Sequence, residues 1–318
     1  MLDNYGRRIN YLRVSVTNLC NLRCSYCMPT GGVKKKEHRD ILRLEDIENI
    51  VKAAVRLGID KVRITGGEPL VRKGIVQLIE NLARIDGLKD LSLTTNGILL
   101  KKYARDLKKA GLNRVNISID SLDRMKYRKI TRCGNLDDVL EGIKIAKDAG
   151  LTPIKLNTVL VGGFNDDEIE DFVNLTLEDD IEVRFIELMP LGETRSWPES
   201  SFVSNETVLE KVPILIPLPF KGHGTVARMY TLPNGKGKVG LISPLSSHFC
   251  NYCNRIRVTP DGKLKSCLHS NQEIDLLNAH PDELYKLIFE GIKSKPTKHN
   301  IGIKDTTLVY RNMNEIGG

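Results

Sequence analysis

Short apolar stretches with a period of two alternate, over the first 190 positions, with longer stretches of helical period. Candidate strands cover 12–17 (LRVSVT), 61–66 (KVRITG), 90–95 (DLSLTT), 114–120 (RVNISID), 153–160 (PIKLNTVL) and 181–188 (IEVRFIEL). Between them, 44–58, 75–85, 99–111, 137–150 and 166–178 read as helices. Three of these end on Gly58, Gly111 and Gly150, where a left-handed cap favours glycine, and Asp166 is placed to cap the last. Strand–helix alternation of this kind predicts a parallel sheet built from βα units.

The strand faces refine that expectation. Leu12, Val14 and Val16 alternate with Arg13, Ser15 and Thr17; Val62 and Ile64 with Arg63 and Thr65; Val115, Ile117 and Ile119 with Asn116, Ser118 and Asp120; Ile154 and Leu156 with Lys155 and Asn157. Parallel strands covered on both faces are nearly continuously apolar. Here one face packs on helices while the other carries Arg13, Arg63, Lys155 and Arg184, which predicts a curved, partly open barrel with a wet, cationic lumen. A structural ion pair with Asp120 or Glu187 is the bland alternative for these cations.

After residue 190 the rhythm breaks. Residues 190–247 are rich in Pro, Gly and Ser, and a compact module follows around FCNYCNRIRVTPDGKLKSCLHS (249–270). Its Pro-Asp-Gly at 260–262 predicts a hairpin, and 281–295 reads as a final helix. The expected division is a partial-barrel domain over 1–230 and a C-terminal module over 231–318.

Composition narrows the class. The chain has 318 residues, 41% hydrophobic and 28% charged, as in a globular protein able to bury a core. No apolar run approaches 18 residues, and MLDNYGRRINYLRV lacks a signal-peptide core, so a cytoplasmic location with no membrane association is expected. Seven cysteines there argue against structural disulfides. The net charge of +8 is spread along the chain and by itself reads as a solvated surface.

The cysteines carry the chemistry. Cys20, Cys24 and Cys27 follow the first strand, at the barrel rim where ligands bind. A structural zinc site wants four ligands, and no further Cys or His is spaced to supply the fourth; an iron–sulfur cube held by three thiolates keeps one iron open. Cys250, Cys253 and Cys267 form a second triplet, flanked by His248 and His269, for which zinc and iron–sulfur both remain open on spacing alone. Beside it, Arg255-Ile256-Arg257 sets two guanidiniums on one strand face, suited to phosphate or nucleobase edges.

The C-x3-C-x2-C of Cys20, Cys24 and Cys27, with GGEP at 66–69, resembles the signature of the radical S-adenosylmethionine (SAM) enzymes. With LTTNG, VNISIDSLD, IEVRFIELMP, FCNYCNRIRVTPDGKLKSCL and the terminal Gly-Gly, the whole chain resembles the GTP 3',8-cyclase family within them, which opens molybdenum cofactor (molybdopterin) biosynthesis. The resemblance implies an α/β fold, an incomplete (βα)6 TIM-like barrel with a small C-terminal cluster-binding module, and two [4Fe–4S] clusters, on Cys20, Cys24 and Cys27 and on Cys250, Cys253 and Cys267. It implies SAM contacts at Tyr26, Gly67, Ser118 and Met189, and GTP contacts at Arg13, Arg63, Thr94, Lys155, Arg255, Ile256 and Arg257. Gly317 and Gly318 would form a tail reaching the active site. A 5'-deoxyadenosyl radical would take the ribose 3' hydrogen of GTP and yield (8S)-3',8-cyclo-7,8-dihydroguanosine 5'-triphosphate, which passes to cyclic pyranopterin monophosphate synthase. An electron-donor protein would be needed, no nucleic acid would bind, and a homodimer is compatible with the family.

Three rivals make different demands. A peptide-modifying maturase with an auxiliary cluster generally carries more C-terminal cysteines than the three here. A zinc-ribbon nucleic-acid binder leaves the first triplet and GGEP unexplained. A cluster-storing scaffold has no use for two sites that each lack a fourth ligand. Cys133 fits no motif and reads as a free thiol.

Overall fold

The computed structural model describes residues 1–317 except 34, 221, 223, 300–308 and 310, so the expectation for Gly318 lies outside the described residues. Strands and helices alternate as β1 (Tyr11–Ser15), α1 (Leu44–Arg56), β2 (Lys61–Thr65), α2 (Ile75–Ala83), β3 (Asp90–Thr95), α3 (Leu100–Lys109) and β4 (Arg114–Ser118). They continue with α4 (Arg124–Thr131), α5 (Leu136–Asp148), β5 (Ile154–Leu160), α6 (Ile169–Glu178) and β6 (Ile181–Glu187). All six expected strands form, each within two residues of its expected bounds. Gly58, Gly111 and Gly150 take φ of +88°, +98° and +75°, the left-handed region that ends a helix. Asp166 instead opens a 3-10 turn over Asp166–Glu168, and α6 starts after it.

The apolar faces explain the layering. Ile47, Ile50, Val51 and Ala54 on α1, and Leu78, Ile79 and Leu82 on α2, pack under Leu12, Val14, Val62, Ile64, Leu91 and Leu93, all nearly inaccessible to solvent. At about 25 cal/mol per Å2, this shared apolar surface dominates the stability of the sheet–helix layer. β5 and β6 each alternate buried and half-buried positions, with Ile154, Leu156, Val183 and Phe185 toward the helices.

The later part of the chain completes the sheet on both sides. It forms α7 (Glu206–Lys211), β7 (Ile216–Pro217), β8 (Arg228–Thr231), β9 (Lys238–Ile242), β10 (Arg255–Val258), β11 (Lys263–Lys265), β12 (Ile274–Asp275), α8 (Pro281–Lys293) and α9 (Met313–Ile316). Among the described residues one twelve-stranded sheet runs β12-β11-β10-β1-β2-β3-β4-β5-β6-β9-β8-β7. Strands β10, β1 to β6 and β9 are consecutive and parallel, while β11 and β12 at one end and β8 and β7 at the other are antiparallel. The sheet is open, so the barrel is incomplete as expected. The 260–262 turn does join a hairpin, β10–β11, whose first strand pairs in parallel with β1. Among the described residues no helix is long and apolar enough to cross a membrane.

Candidate active site between two cysteine triplets

The first triplet sits on a loop tightened by the strand after it. Cys27 N and Met28 N both donate to Cys24 O, at 3.0 and 3.2 Å. Gly67 N donates to Thr17 O at 2.7 Å, and a Cβ at Gly67 would stand 2.5 Å from Leu19 O. Only glycine allows GGEP to press against the cysteine loop this closely. Glu68, fully buried, accepts from Leu70 N (3.0 Å), Thr95 Oγ1 (2.8 Å) and Asn96 N (2.7 Å). Asn96 in turn donates to Asn21 Oδ1 at 2.7 Å and approaches Cys20 Sγ at 3.8 Å. Tyr26 OH donates to Asp120 Oδ2 at 2.7 Å.

Burial raises all three thiols: Cys20 to about 11, Cys27 to about 12, and Cys24 far above its ordinary value, where Asp120 and the neighbouring thiols add to the effect. Such thiols ionise readily only when a metal centre replaces the proton. Each triplet offers three half-buried thiols, a donor set that an iron–sulfur cluster can take. His248, Cys250 and His299 do converge within 4.8 Å, with His248 Nδ1 3.1 Å from His299 Nε2.

Between the triplets the polar strand faces line up. Arg257, Arg13, Arg63 and Ser92 lie in register across β10, β1, β2 and β3. Thr94, Asn116, Lys155 and Glu182 do the same across β3 to β6. Arg63 and Arg255 both lie over the Tyr11 ring, each 5.4 Å from its centroid. Burial drives the guanidinium of Arg13 well below its ordinary value, with Arg257 and Arg63 adding repulsion. Arg63 and Arg257 fall to about 10, chiefly through burial, with like charges nearby. Burial alone would raise the Tyr11 phenol, yet these cations outweigh it and pull it down. Among the described residues Arg63, Arg255 and Arg257 have no carboxylate within salt-bridge distance. Buried cations crowded in this way are costly unless an anion joins them.

The ion pair that does form is different from either expected pair. Lys155 and Arg184 both bond Glu182 on β6, while Asp120 is taken by Tyr26 and by Val159 N at 2.9 Å. Glu187 is consumed by Asn205 N and by Leu245 N and Ser246 N, the latter two at 3.0 Å. Burial and Arg184 bring the Lys155 ammonium down to about 8 against the pull of Glu182. Among the described residues, buried side-chain atoms of Ser15, Thr94, Asn116 and Asn157 reach no protein partner along these faces. Native proteins rarely leave such groups unmet, so this lumen is built around a polar occupant. Ile256 turns its side chain into the core instead.

The C-terminal turn ties the two ends together. Asn314 Nδ2 donates to Asn18 O at 3.2 Å, and Arg257 Nη1 donates to Gly317 O at 2.7 Å. Gly317 has φ of +85°, and a Cβ on it would meet Thr65 Oγ1 at 2.3 Å. Met189 Sδ lies 3.3 Å from His269 Nε2, close to the second triplet. Ser118 is half-buried at the end of β4. Sequence reasoning missed Glu182 and Glu68 as organisers; Glu182 was legible only as the residue two before Arg184 on the same strand face. Cys133 is exposed and free.

Comparison with known proteins decides the family. The Radical SAM superfamily profile matches residues 14–176, and the Molybdenum Cofactor Synthesis C profile matches 181–301. A curated protein of Alkaliphilus oremlandii named GTP 3',8-cyclase is 57% identical over 321 residues, covering 100% of both chains. The chain belongs to the GTP 3',8-cyclase family. Its radical SAM membership makes it an enzyme with a [4Fe–4S] cluster and SAM. Proteins of the same name from Alkaliphilus metalliredigens and Thermodesulfovibrio yellowstonii are 56% and 48% identical, again over 100% of both chains. Among solved structures, Streptococcus suis SuiB bound to precursor peptide SuiA overlays with a TM-score of 0.64 at 17% identity, over 91% of this chain and 67% of that one. Methylornithine synthase (PylB) overlays at 0.53 and 18%, over 65% and 62%. Those two likenesses concern the fold alone. Full-length identity to the cyclases therefore outweighs the peptide-modifying alternative.

Proposed function

We propose that this chain converts GTP to (8S)-3',8-cyclo-7,8-dihydroguanosine 5'-triphosphate, the first step of molybdopterin formation, using two [4Fe–4S] clusters. The observation that carries the substrate is the row Arg257, Arg13 and Arg63, joined by Arg255, buried between two cysteine triplets. Three or four guanidiniums in one dry lumen suit a triphosphate, because fork-shaped donors bind its oxygens bidentately and low polarity strengthens each contact. When bound, the first cluster and SAM supply the 5'-deoxyadenosyl radical that removes the ribose 3' hydrogen.

Each residue then has a task of its own. Cys20, Cys24 and Cys27 hold the first cluster; Tyr26, Gly67, Ser118 and Met189 border SAM. Tyr26 is fixed for this by its bond to Asp120, and Gly67 by its contact with the cysteine loop. Arg13, Arg63, Arg255 and Arg257 hold the triphosphate, while Thr94 and Lys155 orient the nucleoside from β3 and β5; Ile256 contributes through its main chain. Lys155 must loosen from Glu182 to reach the ligand, so Glu182 acts as its counter-charge in the free enzyme. Cys250, Cys253 and Cys267 hold the second cluster at the guanine end. Arg257 draws Gly317 into the lumen, where the tail keeps water from the reacting centre.

The test uses anaerobically reconstituted protein with dithionite, SAM and GTP. About eight irons per chain from two cubes, with 5'-deoxyadenosine and cyclised product rising together only when GTP is present, supports the reading. Four irons plus one zinc, or deoxyadenosine indifferent to GTP, overturns the substrate and the second cluster.

A further inference from the structure

A buried ammonium lies against the second triplet that no role above uses. Lys295, 3% exposed, follows α8, and its Nζ donates to Arg255 O at 2.8 Å and Ser266 O at 2.6 Å. Those carbonyls sit two residues after Cys253 and one before Cys267, so a single cation pins both halves of the cysteine hairpin. Among the described residues no carboxylate lies within salt-bridge distance of it. A buried lysine without a carboxylate is costly, and here two main-chain carbonyls of the cysteine hairpin hold it.

The segment carrying Lys295 is itself latched. Arg7, 5% exposed and paired with Asp3 at 2.6 Å, reaches Pro296 O (2.6 Å), Thr297 O (3.0 Å) and Lys295 O (3.4 Å) with its two Nη atoms. It also bonds Cys250 O at 2.9 Å. Between them, Lys295 and Arg7 thus bind the main chain beside all three cysteines.

Electrostatics gives that arrangement a consequence. Lys295 Nζ stands 2.6 Å from the carbonyl of the residue before Cys267 and 2.8 Å from the carbonyl two residues after Cys253, so its charge is buried beside the triplet. Adding an electron to a cluster adds negative charge, so a fixed buried cation beside it makes reduction easier.

We infer that Lys295 is a positioning residue of the second cluster, whose ammonium spaces the Cys253 and Cys267 arms and raises that cluster's reduction potential, with Arg7 as the latch that holds it there. This rests on the reading that the second triplet holds an iron–sulfur cluster.

The experiment is a potentiometric titration followed by EPR on full-length, anaerobically reconstituted wild type, Lys295→Met and Lys295→Arg, with iron and sulfide counted on each sample. Lys295→Met is expected to keep the first cluster's potential and shift the second to lower potential; Lys295→Arg is expected to return it toward wild type. Loss of the second cluster's irons in Lys295→Met with retention in Lys295→Arg supports the spacing role equally. A second cluster in Lys295→Met with full iron and wild-type potential overturns the inference, as does equal iron loss in Lys295→Met and Lys295→Arg. A wild type that holds zinc or nothing at the second triplet overturns the underlying reading instead.

Discussion

Around Cys20, Cys24 and Cys27 the stronger charged neighbours are carboxylates: Glu68 beside Cys20, Asp120 beside Cys24, and Asp120 with Glu193 beside Cys27. Around Cys253 they are cations, Lys295 and Arg255, and Arg257 stands near both Cys253 and Cys267. Two sites with the same three ligands therefore sit in opposite fields. Carboxylates make an added electron unwelcome, which suits a centre that must give its electron away to SAM. Cations welcome negative charge, which suits the second cluster and the anionic nucleotide that we propose there. The polar faces of β10, β1 and β2 form the gradient between them, rich in guanidinium at the second triplet's end and handing over to Ser, Thr and Asn toward β3 and β4.

The comparison breaks most visibly when one triplet is removed at a time. Cys24→Ala is expected to abolish deoxyadenosine formation altogether. Cys253→Ala should still cleave SAM, slowly and without regard to GTP, while making no cyclised product; chromatography of both nucleosides from parallel anaerobic reactions checks this. If both variants fail identically, the two ends do not have separate tasks.

Next in size is Arg13→Ala, which deletes the centre of the cation row. A loss of about 100-fold in kcat/KM for GTP is expected, in line with about 2–3 kcal/mol for a charged hydrogen-bonding group. SAM affinity, measured by equilibrium binding, should change little. Gly317→Ala should cost about tenfold in product formation, since its left-handed backbone and the 2.3 Å approach to Thr65 Oγ1 force the tail to shift. Its thermal stability should stay near wild type, because the tail is peripheral to the main core. The smallest effect is expected from Thr94→Val, about threefold in KM for GTP, through loss of one neutral hydrogen bond. Equal losses for Arg13→Ala and Thr94→Val would contradict the gradient.

Much of this was legible in the sequence because it is local. Alternation of Arg13, Arg63 and Lys155 with apolar neighbours marks a polar lumen, and C-x3-C-x2-C and GGEP are contiguous motifs. What was hidden is long-range or weakly patterned. The pairing of β10 with β1 joins residues some 240 positions apart and leaves no local trace. α4, RMKYRKIT, buries only Tyr127, Ile130 and Thr131, too few for a clear helical stripe. Strands β7 to β9 are short and set among Pro and Gly. Glu182 replaces Asp120 and Glu187 as the lumen's counter-charge because neighbouring strands bring Lys155 and Glu182 into register, a fact of pairing rather than of composition. Lys295 lies 28 residues from the nearest cysteine of the second triplet, and only the folded chain brings it to the hairpin that carries them.

The most direct measurement of the central claim is isotope transfer: GTP deuterated at the ribose 3' carbon, incubated anaerobically with the reconstituted enzyme, dithionite and SAM, and the 5'-deoxyadenosine analysed by mass spectrometry. One deuterium in the 5'-deoxyadenosine, together with equimolar cyclised product, is the predicted result. Unlabelled 5'-deoxyadenosine, formed at the same rate with or without GTP, would contradict the account.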